Sequence, residues 1–295
     1  MMYAQLGIQY ISDIHLEMYR SNDFNPTDFL KASYGEFLAL CGDIGYPEDP
    51  LLEQFIRFCS QYYRMVFWVP GNHEFYSPSG QMTLHDKIQK MESICAKFNN
   101  VILMNQRAYN VPGTTLRIVG CTLWTEIPEE FKEPAEKYMN DYRLIYKRLN
   151  QRITVDDINE WHMHDRTWLQ SEIHAAHDSG RELIILTHHL PTQRLVHQKY
   201  EGHPLNVCFA SNLDFMIRYP IRAWLCGHSH TANEARVNDV LCSLNPGGYP
   251  GEENSRFDRE KTLIVVLKDA SQPIYPGDTY VEGQDTFDSD VSSEE

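Results

Sequence analysis

The chain has 295 residues, of which 42% are hydrophobic and 12% aromatic, and a formal net charge of -15 at pH 7. Such a length buries one sizeable core. The acidic balance repels phosphate backbones at long range, which argues against a protein that grips duplex nucleic acid through its charge.

The acidity is uneven. Residues 269–295 hold eight acids and no Lys or Arg, which leaves 33 acids against 26 bases in the body. The Gly, Asp, Ser and Glu content of that end predicts a disordered acidic tail over 271–295, after a folded domain spanning 1–270. The seven cysteines are an odd number with no C-x-x-C pair, and Cys41 and Cys226 sit inside apolar runs, so they read as reduced core thiols of a cytoplasmic protein. Residues 1–5 lack the basic region of a signal peptide, and no apolar run approaches membrane-spanning length, so no membrane association is expected.

In chain order, residues 6–12 form a short apolar run with β-branched residues, read as a strand buried on both faces, and Asp13-Ile14-His15 follows it. Residues 37–41 read as the next strand and end at Gly42-Asp43. Asp49 caps a helix with Pro50 at its first position and an apolar face from Leu51 to Tyr62. The apolar run 65–69 stops at Pro70-Gly71 and presents Asn72-His73-Glu74. Thr83-x-x-Asp86 is a capping signature that opens a further helix.

The pattern then changes. Runs 101–104 and 116–122 read as strands in quick succession joined at Pro112-Gly113, which suggests a second sheet or an antiparallel addition. Residues 124–152 are polar and aromatic without periodicity, a loop or cap over the site. Thr154-x-x-Asp157 starts a long helix ending near Gly180, and 183–186 leads into His188-His189. Ser211-x-x-Asp214 is expected to open a short helix closed by Pro220, and 221–226 leads into Gly227-His228-Ser229-His230. Runs 235–244 and 262–267 read as late strands. His162, His164, His174 and His177 fall on the long helix with no carboxylate completing a site, and are expected as solvated or rim residues.

Each Asp/His/Asn cluster alone is a solvated turn in roughly nine cases of ten. Five of them, each directly after an apolar strand, would be delivered by a sheet to one rim. The set holds two Asp, one Asn and at least four His, mixed oxygen and nitrogen donors that suit Mn, Fe or Zn better than Ca or Mg. Two divalent ions sharing a bridging carboxylate, about 3.5–4 Å apart, accommodate so many ligands and would activate a bridging water for in-line attack at phosphorus. An imidazole that is not a ligand would protonate the leaving oxygen.

The ordered series Asp13-x-His15, Gly42-Asp43, Gly71-Asn72-His73-Glu74, His188 and Gly227-His228-x-His230 resembles the calcineurin-like metallophosphoesterase superfamily over nearly all of the folded chain. The resemblance implies an α/β fold, a four-layer αββα sandwich of two mixed β-sheets flanked by helices. It implies that Asp13, His15 and His230 hold one ion, that Asp43 bridges, and that Asn72, His188 and His228 hold the second, with His73 as general acid. Of the adjacent pair, His188 matches the ligand position better than His189.

Two positions depart from the superfamily's pattern. The second block lacks the later acid that orients the catalytic His in many members, leaving that role to Glu74 or an acid from elsewhere. Gly247 stands where an Arg often sits. The expectation is therefore a phosphoesterase acting on a small phosphorylated mono- or diester, with manganese as the first choice of metal and Fe or Zn as the others. The alternative is a catalytically weak scaffold of the same fold that binds protein partners. A nuclease lacks any basic stripe.

Overall fold

The computed structural model describes residues 5–21, 24–31, 35–252, 256–267 and 280–281. Three strands come first, β1 (Gln5–Ile11), β2 (Phe37–Cys41) and β3 (Met65–Val69), with helix α1 (Pro50–Tyr62) between the last two. Asp49 caps α1 by accepting from the Leu51 N–H at 2.9 Å, with Pro50 at a position whose N–H would be unpaired in any case. Helix α2 (Leu84–Cys95) opens on a complete Thr83/Asp86 capping box. Strands β4 (Val101–Leu103), β5 (Arg107–Asn110) and β6 (Leu116–Cys121) follow, then α3 (Lys132–Tyr138), α4 (Asp141–Leu144) and the small hairpin of β7 (Tyr146–Arg148) and β8 (Gln151–Arg152). Helix α5 (Val155–Asp178), β9 (Glu182–Thr187), β10 (Ile221–Cys226), β11 (Asn233–Val237), β12 (Val240–Leu244), β13 (Thr262–Val266) and β14 (Tyr280–Val281) complete the order.

One sheet runs β13-β1-β2-β3-β4 and the other β11-β12-β10-β9-β6-β5-β14. Strands β1 to β4 are mutually parallel, as are β6, β9, β10 and β12; antiparallel β13 and β11 sit at edges, and antiparallel β5 lies between β6 and the edge strand β14. The period of two along β2 explains the layers. Phe37, Ala39 and Cys41 face the second sheet in a shared core with Ile118, Ile184 and Leu225, whereas Leu38 and Leu40 face Phe55 and Ile56 of α1. Helix α5 covers the outer face of the second sheet through Leu169, Ile173 and Ala176. The result is the expected four-layer αββα sandwich.

Several local readings change. The runs at 101–104 and 116–122 are not neighbours: β4 closes the first sheet and β6 enters the second, with β5 between them in sequence. Strand β5 escaped notice because its sequence, Arg-Ala-Tyr-Asn, alternates in burial and so is no apolar run. The run 235–244 is the tail of a hairpin, β11 and β12, turning at Asn238-Asp239, both at positive φ as a two-residue hairpin turn requires. Ser211-x-x-Asp214 opens no helix. Residues 214–216 form a turn, Leu213, Met216 and Ile217 enter the second core, and Asp214 accepts from Arg194 Nε at 2.9 Å.

The segment 124–152 is ordered and contributes Ile127, Ala135, Tyr142 and Ile145 to the first core. His162 is buried, not solvated, and is hydrogen-bonded to the Trp124 carbonyl. Of the acidic end, Tyr280–Val281 pairs with β5, and the rest of the expected tail lies outside the described residues. Among the described residues no helix is long and apolar enough to cross a membrane.

Candidate metal centre

Parallel strands deliver their carboxyl ends to one edge, and here five of them do so from two sheets. Asp13 and His15 follow β1, Asp43 follows β2, Asn72 and His73 follow β3, His188 follows β9, and His228 and His230 follow β10. All eight residues singled out from the sequence converge at this edge. The turns that aim them are tight: Asp13, His15, Asp43 and His228 adopt φ of 53°, 48°, 54° and 68°, the left-handed region that costs an ordinary residue about 1–2 kcal/mol. Gly42, at φ 84°, has no such cost, and a Cβ there would strike the His188 ring.

Asp13, His15 and His230 present ligand atoms within 4.8 Å of one another, as do Asp43, His188 and His228. Their outer partners fix which nitrogen bears a proton. His15 Nδ1 donates to Glu17 Oε1 at 3.2 Å and His230 Nδ1 donates to Glu252 Oε2 at 2.8 Å, yet the two Nε2 atoms face each other at 3.0 Å. On the other side, His188 Nδ1 donates to the Cys41 carbonyl at 2.9 Å. Its Nε2 points at Asn72 Oδ1 at 2.9 Å and lies 3.4 Å from Asp43 Oδ1; burial opposes charge on this ring, but the Asp43 carboxylate outweighs it and raises its pKa to about 9. Asn72 is held in this orientation because its Nδ2 donates to Asp141 Oδ1 at 2.8 Å and to the Tyr76 hydroxyl at 2.9 Å. Burial and the neighbouring imidazoles keep His228 neutral, and its Nε2 is buried with no partner.

With each of these Nδ1 atoms committed to an outer acceptor, the Nε2 atoms of His15, His230 and His188 turn inward beside the Asp13 and Asp43 carboxylates, a mixed nitrogen and oxygen donor set that fits two divalent ions.

His73 sits on a 3₁₀ turn after β3, with its backbone N–H on Asp43 Oδ1 at 2.8 Å. Its ring partner is Glu17, which accepts from Nδ1 at 2.8 Å, so Nε2 faces the open side of the site, 3.9 Å from Asp43 Oδ2 and 3.5 Å from the Tyr249 hydroxyl. Burial opposes charge on His73, but the carboxylates of Asp43 and Glu17 outweigh it and raise its pKa to about 9. Burial likewise opposes charge on Glu17, and the hydrogen bonds from His15 and His73 hold its carboxyl below the usual range.

The acid that orients His73 is thus Glu17, not Glu74. Glu74 is a backbone bracket: it accepts from the N–H groups of Gly71, Asp43 and Ile44 at 2.8, 2.9 and 2.9 Å and from Trp68 Nε1 at 3.2 Å, tying the ends of β2 and β3 together. His189 stays out of the cluster, with Nδ1 3.3 Å from the Thr122 carbonyl and its ring between Trp124 and His228.

The profile of calcineurin-like phosphoesterases matches residues 8–232, the span that contains all eight of these side chains. The chain belongs to the calcineurin-like phosphoesterase family. Membership makes it a hydrolase of phosphoric esters, and the family's dinuclear divalent centre matches the clusters at the strand ends. The phosphoesterase is 33% identical over 265 residues to the uncharacterized protein L509 of Acanthamoeba polyphaga mimivirus, a match covering 84% of this chain and 93% of that one. Its fold is similar to the phosphopantetheinyl hydrolase PptH of Mycobacterium tuberculosis, with a TM-score of 0.67 at 18% identity over 96% of this chain and all of that one. A looser likeness, TM-score 0.46 at 13% identity, links it to a dimetal phosphatase from Danio rerio over 82% of this chain and 87% of the other.

Four supporting residues of the phosphoesterase were not read from the sequence as such. Glu17 lies two residues after His15, but only the 3₁₀ turn at Leu16–Met18 shows that it folds back under both His15 and His73. Asp141 lies in the aperiodic segment 124–152 and holds Asn72. Tyr249 lies 4.4 Å, ring to ring, from both His15 and His230, and Glu252 accepts from His230; both come from the Gly-rich segment after β12.

Proposed function

We propose that this phosphoesterase hydrolyses a small phosphorylated substrate by in-line displacement, with His73 as the general acid. The observation that supports this best is the arrangement around His73: Glu17 anchors its Nδ1 at 2.8 Å, and its ring lines the cavity with Nε2 3.9 Å from Asp43 Oδ2, beside the ligand clusters. Asp13, His15 and His230 would hold one ion, Asp43 would bridge, and Asn72, His188 and His228 would hold the other. A bound divalent pair, manganese by preference for this mixed donor set, supplies an activated water and Lewis acidity toward the phosphoryl oxygens. The chain's own part is to orient and to move a proton. Glu17 fixes the tautomer and rotamer of His73, so that Nε2 presents its proton to the leaving oxygen, and the cations nearby would lower the His73 pKa from its value beside two bare carboxylates. We further assign the cytoplasm as its compartment, supported by seven buried free thiols.

Hydrolysis of phosphate mono- and diesters should vanish on chelation and return with manganese, and with an alkyl leaving group it should fall by about 10²–10⁴-fold in His73→Ala. Two metals per chain with no turnover under any divalent ion would replace this reading with that of a scaffold.

A further inference from the structure

The cavity above the metal centre has a volume of about 450 Å³ and two unlike surfaces. Its floor is the catalytic edge, with Asp43, Asn72, His73, His228 and His230. Its wall is apolar and aromatic: Met139 and Tyr138 from the end of α3, and Val196, Leu205, Phe209 and Tyr200 from the segment between β9 and β10. Tyr138 and Tyr200 stand at the mouth with 59% and 44% of their surface exposed, and Phe209 stacks on His228 at 4.6 Å with 27° between ring planes.

No Lys or Arg is among the described residues that line the cavity. Carboxylates, in contrast, surround it. Asp43 and Glu252 line it, Glu17 and Asp141 stand directly behind His73 and Asn72, and Asp13 accepts the His228 N–H. Gly247 adds no cation, and a Cβ there would press within 3.1 Å of Ile14 and 3.2 Å of the Asp13 carbonyl. The rim residue His203 is exposed and uses Nδ1 to accept the Leu205 N–H.

A phosphomonoester brings two negative charges at neutral pH and a phosphodiester brings one. Beyond the metal pair and the proton carried by His73, no fixed cation lines this cavity for the second charge: Lys199 at its mouth lies over the Tyr200 ring at 4.6 Å and acts on Glu252, and several acids oppose that charge. It has instead an apolar wall that gains by covering an organic group. We infer that the substrate class is a phosphodiester in which at least one ester arm is uncharged and largely apolar or aromatic, seated against Met139, Leu205 and Phe209. This deepens the phosphoesterase reading above and rests on it. The step consumes one water: its oxygen bonds to phosphorus, one P–O ester bond breaks with its electron pair passing to the alcohol oxygen, and that oxygen takes the proton from His73 Nε2. The proton released by the water restores His73, and the products are a phosphomonoester and an alcohol.

The test uses the full chain reconstituted with manganese and three esters sharing one leaving group: p-nitrophenyl phosphate, methyl p-nitrophenyl phosphate and p-nitrophenyl phenyl phosphate. The phenyl diester should exceed the methyl diester in kcat/KM by about tenfold or more, the factor that burial of part of a ring supplies. The monoester should be the poorest of the three. Leu205→Lys, which places a cation on the wall, should move the monoester-to-diester ratio toward the monoester by about tenfold. A readout independent of turnover is calorimetric binding to metal-loaded His73→Ala, where diphenyl phosphate should bind more tightly than phenyl phosphate. Preference for the monoester, or indifference to the phenyl arm in both rate and binding, overturns the inference. Selective binding of diphenyl phosphate with no ester turned over by the unmutated chain upholds the reading of the cavity and overturns the proposed catalysis.

Discussion

The two halves of the metal centre use the same ligand chemistry but are supported differently. On one side, His188 is completely buried, its outer partner is the Cys41 backbone carbonyl, and Asn72 is held by buried Asp141 and Tyr76. On the other, His230 keeps 16% of its side chain exposed and leans on Glu252, 37% exposed, in the Gly-rich segment after β12. A carboxylate that faces water is screened and readily replaced by it, whereas a buried one has no substitute. The Asn72 and His188 side is therefore held wholly by buried groups, whereas on the other side Asp13 and His15 are buried and only His230 rests on a water-facing carboxylate.

Asp43→Asn should have the largest effect, because Asp43 touches both halves. Activity should fall beyond the roughly 10–100-fold typical of lost outer-shell partners, and metal content should drop below two per chain by elemental analysis. Next in size is Glu17→Ala, which frees both His15 and His73. With an unactivated alkyl leaving group, kcat should fall about 100-fold, and with p-nitrophenolate, which needs no proton, distinctly less. Asp141→Ala leaves the Asn72 amide and the Tyr76 hydroxyl without their buried acceptor. It should weaken one ion by about 10–100-fold in a chelator competition and cost about 1–3 kcal/mol of stability in denaturant melts. Glu252→Gln should be mildest, under about tenfold in affinity for one ion, with an effect that shrinks further as salt is added. Equal effects of Asp141→Ala and Glu252→Gln would erase the distinction between the halves.

The ligands were legible in the sequence for a physical reason that does not extend to their supports. A buried parallel strand is a largely apolar run, so Asp13, Asp43, Asn72, His188 and His228 announce themselves as the first ligand-type side chains after one. Glu17 and Asp141 are set by how a 3₁₀ turn and a two-helix insertion fold back over the edge, and nothing in residue spacing encodes that return. Similarly, the layers followed from the period of two in β2, whereas the transfer of the chain from β4 in one sheet to β6 in the other depends on pairing with β9, where Leu116 meets Glu182 far along the chain. The Ser211-x-x-Asp214 signature failed because a turn already places Leu213 and Met216 in the core.

The left-handed backbone at Asp13, His15, Asp43 and His228 means that the residues most useful to this phosphoesterase are also among the most uncomfortable in it. In a lineage that kept the sandwich but abandoned hydrolysis, these four positions should be the first to drift to glycine, which accepts the same φ without strain. Glycine at the counterparts of Asp13 or His228 would then mark a retired enzyme from its sequence alone, and such a protein should melt at a higher temperature than an active relative in the absence of metal.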